Sequence, residues 1–147
     1  MSATEPLCHL IGIRSDVLSL MENSLLEAEL FTRMYRGLKD VIRREYQNYF
    51  SLLRFNQTME NAMLETNFIR SVISDILSTE EYSLSGIACY TDTPEEVIHE
   101  VMMGMNSNPS LRFSRKIIEL HRSVRPAVYQ AIMEKIAREY QSSLKVV

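Results

Sequence analysis

Apolar side chains recur at steps of three and four residues along the first part of the chain, a spacing that predicts amphipathic helices. Residues 7 to 93 contain no proline, and Ser15-Asp16 is a candidate helix start. The longest apolar stripe spans about six helical turns. It consists of Phe31, Met34, Tyr35, Leu38, Val41, Ile42, Tyr46, Tyr49, Phe50 and Leu53. Because so wide an apolar face needs a covering surface, we predict an N-terminal helical hairpin that dimerises.

Further helices are indicated downstream. The segment Thr58 to Leu77 places its apolar residues on one broad face. Two later segments, Leu111 to His121 and Ala127 to Tyr140, also contain apolar residues for packing against other helices. The sequence has no alternating strand pattern, no Asn-Gly hairpin turn and no internal repeat. The chain is therefore predicted to be all-α. The last helix either packs back on the N-terminal helices or pairs with its copy in a second chain.

Charge and composition narrow the classes of protein. The 147 residues have a formal net charge of -3, and the second part of the chain, after Glu80, is neutral with 8 basic and 8 acidic residues. No basic field covers the whole protein, so any affinity for nucleic acid must be local. No apolar run approaches the roughly 20 residues of a membrane helix, and the N-terminus lacks the pattern of a secretory signal. We expect a cytoplasmic protein without membrane contact, with Cys8 and Cys89 as reduced thiols.

Two short helices around a tight turn follow Glu80. Ser83 to Tyr90 forms the first, Thr91 to Thr93 the turn, and Pro94 to Met103 the second. Thr93 is the predicted N-cap and Pro94 suits the first helical position. Gly104 is predicted to end this helix in the left-handed conformation. A loop with a restricted backbone, residues 105 to 110, leads into the next helix.

The segment from Glu80 to Leu120 resembles the helix-turn-helix domains of the Cro and phage-repressor (xenobiotic-response-element-like) family. The residues at the family spacing are Ile87-Ala88, Ile98, Gly104, Asn108-Pro109-Ser110 and Ile117. The resemblance implies a three-part organisation. Residues 1–57 are an N-terminal helical association region, 58–125 a helix-turn-helix domain and 126–147 a C-terminal packing helix.

The resemblance also implies how DNA is bound. Pro94 to Met103 corresponds to the recognition helix, whose outward side chains face the major groove, and a glutamate there can accept a hydrogen bond from cytosine N4. The basic, donor-rich segment that follows is expected to hold the phosphate backbone. The predicted DNA-contacting residues are Thr93, Glu95, Glu96, His99, Asn106, Ser107, Asn108, Ser110, Arg112, Arg115 and Lys116, with Glu100 as a further groove-facing residue. Leu84 stands where many members have a glutamine that helps hold phosphate.

We therefore expect a sequence-specific, homodimeric transcriptional regulator that binds double-stranded DNA. The alternative is a helical adaptor that docks another protein and has lost DNA contact. An enzyme is not expected, because no phosphate-binding glycine loop or nucleophile elbow occurs, and Cys89 is interpreted as packing on the inner face of its helix. The histidines are too dispersed for a metal site, and no cofactor is expected. Met102, Met103 and Met105 are interpreted as core residues rather than an adaptable binding surface.

Overall fold

The computed structural model describes residues 10–12, 18–106 and 109–145, and within these ranges the chain contains helices and no strand. From residue 20 onward the described helices are α1 Leu20–Glu45, α2 Gln47–Leu53, α3 Gln57–Ser78, α4 Leu84–Thr91, α5 Glu95–Met102, α6 Leu111–Val124 and α7 Pro126–Lys145. The all-α prediction is confirmed. The predicted helix start at Ser15-Asp16 lies outside the described residues.

The chain divides into two compact units. The first combines Met1–Leu38 with Pro126–Val147, and the second is Lys39–Arg125. Helix α1 contributes its first part to one unit and its last part to the other. The predicted segment boundary between residues 57 and 58 stays a prediction.

In the first unit, the start of α1 is fixed by a reciprocal capping box. The Ser19 hydroxyl accepts from the backbone N–H of Glu22, while the Glu22 carboxylate accepts from the Ser19 N–H, each at 3.1 Å. Helix α7 lies so close to α1 that a Cβ added to Gly37 would stand 2.7 Å from Ile132 Cγ2. The guanidinium of Arg33 also lies 4.6 Å from the centre of the Tyr140 ring. The last helix therefore packs back on the N-terminal helix, one of the two arrangements that the sequence left open.

The predicted six-turn helix from Phe31 to Leu53 is interrupted. Tyr46 has φ -93° and ψ 5°, which separates α1 from α2. The hydrogen bonds Tyr46 N–H to Ile42 C=O and Phe50 N–H to Tyr46 C=O continue across the break, at 3.1 and 2.9 Å. The distortion turns the stripe, so that Tyr46, Tyr49 and Leu53 are exposed while Phe50 stays buried. The sequence pattern placed all four on one covered face; the chain itself covers only Phe50, and cover of the other three by a dimer stays a prediction.

The second unit is built around α3, which Asn56 caps by accepting from the Met59 N–H at 2.9 Å. Both α5 and α6 pack on α3, and α4 packs on both α5 and α6. Arg43 near the end of α1 donates to Glu60 at 3.1 Å and so joins α1 to the start of α3. The buried residues of α3 are Leu64, Phe68, Ile69, Val72, Ile73 and Ile76. This core holds the two short helices and the basic start of α6 in place.

Candidate functional site

Helix α4 is closed at both ends by its own sequence. The Ser83 hydroxyl accepts from the Gly86 N–H at 3.1 Å, and the buried Thr91 donates its hydroxyl proton to the Ile87 carbonyl at 2.8 Å. Asp92 follows in the left-handed conformation, with φ 50° and ψ 48°. The Thr93 N–H then bonds back to the Ala88 carbonyl at 3.1 Å, which satisfies a carbonyl at the helix end. These bonds form the tight turn between α4 and α5.

Helix α5 begins one residue later than the sequence predicted. Pro94 is the N-cap, with φ -57° and ψ 141°, and Glu95 is the first helical residue. Thr93 does not cap the helix, because its hydroxyl donates to the Thr91 carbonyl at 3.1 Å inside the turn. The predicted roles of Thr93 as N-cap and of Pro94 as first helical residue are therefore wrong. Gly104 has φ +77°, which confirms its predicted left-handed role after the helix.

The two faces of α5 differ in burial and charge. Ile98 is 0% exposed and Val101 is buried beside it. The opposite face presents Glu95, Glu96, His99 and Glu100, all exposed, and with Leu84 these residues line a shallow depression of about 450 Å³. Within the described residues, none of the three carboxylates is ion-paired. The structure thus brings the predicted groove-facing residues together on one accessible, acidic surface.

Helix α6 carries the predicted phosphate-contacting cations on its first turns. Ser110 is its N-cap and accepts from the Phe113 N–H at 3.2 Å, which leaves the Ser110 hydroxyl proton available to donate. Arg112 is exposed, whereas Arg115 and Lys116 are half-buried. Asn106 is half-buried in the loop before α6. Ser107 and Asn108 lie outside the described residues.

Three residues near this surface are more exposed than the sequence suggested. Met103 and Met105 are 62% and 73% exposed, so their interpretation as core residues is wrong. Both follow the last turn of α5, where no helix of the described chain covers them. Cys89 is likewise exposed rather than packed on the inner face of α4. Helix α4 has only about two turns, so its apolar pattern does not define which residues face inward to better than one position. The inward placement of Cys89 was wrong for this reason.

A hydrogen-bonded cluster that sequence reasoning missed joins the ends of α3 and α6. His121, only 5% exposed, lies with Nε2 2.6 Å from Asp75 Oδ2. The Arg125 guanidinium also donates two hydrogen bonds to Asp75, from Nε to Oδ2 at 3.1 Å and from Nη2 to Oδ1 at 3.3 Å. His121 lies in the last turn of α6 and Arg125 is its C-cap, with the Arg125 N–H bonded to the His121 carbonyl at 2.8 Å, a spacing that could have suggested a common acidic partner.

Burial and partners shift the pKa values of this cluster. Burial lowers the pKa of His121, and the hydrogen bond to Asp75 opposes the shift without cancelling it. For Asp75, partial burial alone would raise the pKa, but the hydrogen bonds from Arg125 and His121 outweigh it and hold the pKa below its usual value. The cluster therefore contains a histidine kept neutral beside a carboxylate kept charged.

Comparison with known proteins adds no assignment, since no family model, no curated protein sequence and no solved structure matches the chain. In the described ranges, no group of three or more His, Cys, Asp or Glu side chains is arranged to hold a metal ion. None of the helices described combines the length and the apolar character needed to cross a membrane. The predicted DNA-contacting residues in the described ranges lie on α5, in the turns that flank it and at the start of α6.

Proposed function

We propose that the protein is a homodimeric transcriptional regulator that binds double-stranded DNA through α5 and the start of α6. In this proposal Glu95, Glu96 and His99 face the bases. Arg112, Arg115 and Lys116 contact the phosphate backbone. The activity is binding, and no covalent chemistry is involved.

The observation that carries the proposal is the way α5 is presented. Its inner residues Ile98 and Val101 are buried, while its outer side chains are exposed. A helix anchored on one face and accessible on the other fits the major groove, which admits a helix. The bonded turn at Asp92 and the left-handed Gly104 give α5 fixed ends. Side chains on a fixed helix read base edges with less loss of conformational entropy.

Local positive charge supports the same proposal. The first turns of α6 carry three cations, and this helix packs on α3 and α4, the two helices that also hold α5. Phosphate contacts by lysine and arginine fix the register of a protein on DNA without reading sequence. The acidic face of α5 opposes this attraction, so one chain alone has a small electrostatic gain. A two-fold dimer places two such surfaces on one duplex and raises the affinity through avidity.

The test is equilibrium binding to a fluorescent duplex of random sequence over a series of salt concentrations. We expect binding that weakens steeply with salt, with a slope of about -0.9 for each phosphate neutralised. Arg112→Ala should weaken binding to every sequence and reduce that slope by about one. Arg138→Ala, at an exposed arginine of the other unit, is the matched control and should leave binding unchanged. Absence of salt-dependent binding by the unmodified protein would falsify the proposal.

A second function, docking of a basic protein segment, is favoured by the charge of the same surface. The depression lined by Leu84, His99 and three glutamates complements a lysine- or arginine-rich helix, and the exposed Met103 and Met105 offer adaptable apolar contact. Replacing Glu96 and Glu100 by glutamine separates the two functions. If DNA occupies the surface, the change should alter base preference or strengthen binding to all sequences, and if a basic segment does, it should weaken docking.

A further inference from the structure

An open cavity of about 330 Å³ lies at the surface of the Lys39–Arg125 unit. It is lined by the end of α1, by α2 and by the middle of α3, and it opens to solvent beside Tyr46 and Tyr49, which are 41% and 47% exposed. Its volume falls within the range of roughly 300 to 1,000 Å³ that is usual for small-molecule sites. The cavity therefore has room for a small organic ligand.

The walls of the cavity have two chemical characters. Tyr46, Tyr49 and Phe50 form an aromatic wall, with ring centres 6.1 to 6.4 Å apart. The facing wall, on α3, is polar and includes Asn67, Arg70, Ser71 and Ser74. The Tyr46 hydroxyl lies 3.5 Å from the Ser71 hydroxyl and so connects the two walls. An apolar surface with a few convergent polar groups is typical of sites that orient an amphipathic ligand.

Arg70 supplies the charge of the polar wall. Its Nη1 lies 3.5 Å from Asn67 Oδ1, and Asn67 in turn donates to the Met63 carbonyl at 3.0 Å. Within the described residues no carboxylate lies within ion-pair distance of Arg70, although Arg43 and Lys39 on α1 are both paired with glutamates. A guanidinium presents a planar set of donors that matches a carboxylate. The wall thus offers a cation whose natural counterpart is an organic acid.

We propose that this cavity binds a small aromatic carboxylic acid, with its ring against Tyr46, Tyr49 and Phe50 and its carboxylate on Arg70. The ring stacks on the exposed tyrosine faces, and Asn67 and Ser71 accept or donate the remaining hydrogen bonds. The inference concerns a site separate from the DNA-facing surface and stands without it.

The position of Arg70 also links the cavity to the end of α5. Its Nη1 lies 3.6 Å from the place where a Cβ on Gly104 would stand. A carboxylate that draws the guanidinium into the cavity changes the surroundings of Gly104, the residue that ends α5. Through the contact of Arg70 with Gly104, we expect the bound carboxylic acid to change the affinity for DNA. This consequence rests on the proposed function.

The experiment is isothermal titration of the full chain with phenylacetate, and with two probes that each lack one half of the recognition. Acetate lacks the ring, and 2-phenylethanol lacks the charge. We expect phenylacetate to bind about tenfold or more tightly than either probe, since charge-assisted hydrogen bonds and ring burial each contribute. Equal binding of phenylacetate and 2-phenylethanol, or no binding of phenylacetate, overturns the proposal.

Two variants assign the binding to the cavity. Arg70→Gln keeps a polar side chain on an exposed position and should remove the preference for phenylacetate over 2-phenylethanol. Arg138→Gln, at an exposed arginine of the other unit, is the matched control and should keep that preference. An unchanged preference in Arg70→Gln overturns the assignment. Because DNA binding and phenylacetate binding are measured independently on the unmodified protein, the two proposals can fail separately. Phenylacetate binding in a protein that does not bind DNA supports the cavity and rejects the regulator.

Discussion

Two histidines of the Lys39–Arg125 unit, His121 and His99, have opposite surroundings although each lies near carboxylates. His121 is buried at the end of α6, and its ring is hydrogen-bonded to Asp75, which Arg125 also holds. His99 is exposed on α5 and stands among glutamates that have no ion-pair partner within the described residues. The same residue types thus form a closed cluster at one place and an open surface at the other.

The difference separates charges that stabilise the fold from charges that remain available for binding. In the closed cluster the Asp75 carboxylate bonds to His121 and Arg125, which ties α3 to α6. On α5 the carboxylates are left to water or to a partner. A buried polar group that loses its partner is costly, whereas an exposed charge contributes little to stability. We therefore expect substitutions in the closed cluster to change the free energy of unfolding and substitutions on α5 to change binding.

The largest expected effect is that of Asp75→Ala. The change removes the carboxylate that bonds both the buried His121 ring and Arg125, so we expect a loss of about 1–3 kcal/mol in the free energy of unfolding. Urea denaturation followed by circular dichroism measures it. Glu96→Ala, which removes an exposed carboxylate from α5, should change the same quantity by less than about 0.5 kcal/mol. Equal effects of the two substitutions would remove the distinction between the closed and the open cluster.

The second-largest expected effect is a pH dependence of stability that distinguishes His121 from His99. Because burial lowers the pKa of His121, the unfolded chain takes up a proton more readily than the folded chain. The free energy of unfolding should therefore have its full value above about pH 6.5, the ordinary pKa of histidine, and should fall as the pH drops below that value. A further loss is expected below about pH 4, because the pKa of Asp75 is held below its ordinary value. Thermal unfolding between pH 8 and pH 3 measures both steps.

Two glutamine variants assign the first of these steps. In His121→Gln the decrease in stability just below pH 6.5 should disappear, since glutamine does not titrate. In His99→Gln, at the exposed histidine of α5, the decrease should persist. A decrease that persists in the first variant and vanishes in the second would reverse the roles of the two residues.

The sequence predicted the helices well and their surroundings less well. The bounds of α3 differ by one residue from the predicted Thr58 to Leu77, because a long periodic stripe ending at Ser78 specifies its own length. The break at Tyr46 was missed, since the hydrogen bonds that continue across it leave the local pattern helical. Exposure of Met103 and Met105 was also missed, because an apolar side chain does not by itself reveal whether another element covers it.

The candidate surface shows the same limit. Capping chemistry and the predicted left-handed Gly104 are local properties, and the sequence indicated most of them. The contact of Asp75 with His121 and Arg125 joins residues separated by 46 and 50 positions, so it depends on how α3 and α6 pack. The cavity beside Arg70 depends on tertiary packing in the same way. Helical patterns are read from short stretches of sequence, so they give no information on contacts between residues this far apart.

The turn before α5 gives a smaller predicted effect and tests what holds the open surface in place. Asp92 has φ 50°, a conformation that aspartate tolerates and alanine resists. Asp92→Ala should therefore be less stable than Asp92→Gly by about 1 kcal/mol in the free energy of unfolding. Thermal denaturation of the two variants compares them. If alanine proved as stable as glycine, the left-handed turn between α4 and α5 would be contradicted.

The smallest expected change in stability, and the most informative change in binding, is that of the double substitution of Glu95 and Glu96 by glutamine. Both side chains are exposed, so unfolding should shift by less than about 0.5 kcal/mol. Binding should respond in one of two ways that selection from random DNA can separate. If the carboxylates accept hydrogen bonds from cytosine N4, the selected sequence changes, because a glutamine side chain both donates and accepts and pairs with adenine instead.

If the carboxylates only repel phosphate, the same substitution strengthens binding to all sequences alike and leaves the selected sequence unchanged. Base reading then depends on other residues of the surface. A change in the selected DNA sequence would assign the exposed carboxylates of α5 a specific partner, as Asp75 has in His121. A uniform gain in affinity means instead that the acidic face limits DNA binding, and it favours a basic protein segment as the partner that these charges fit.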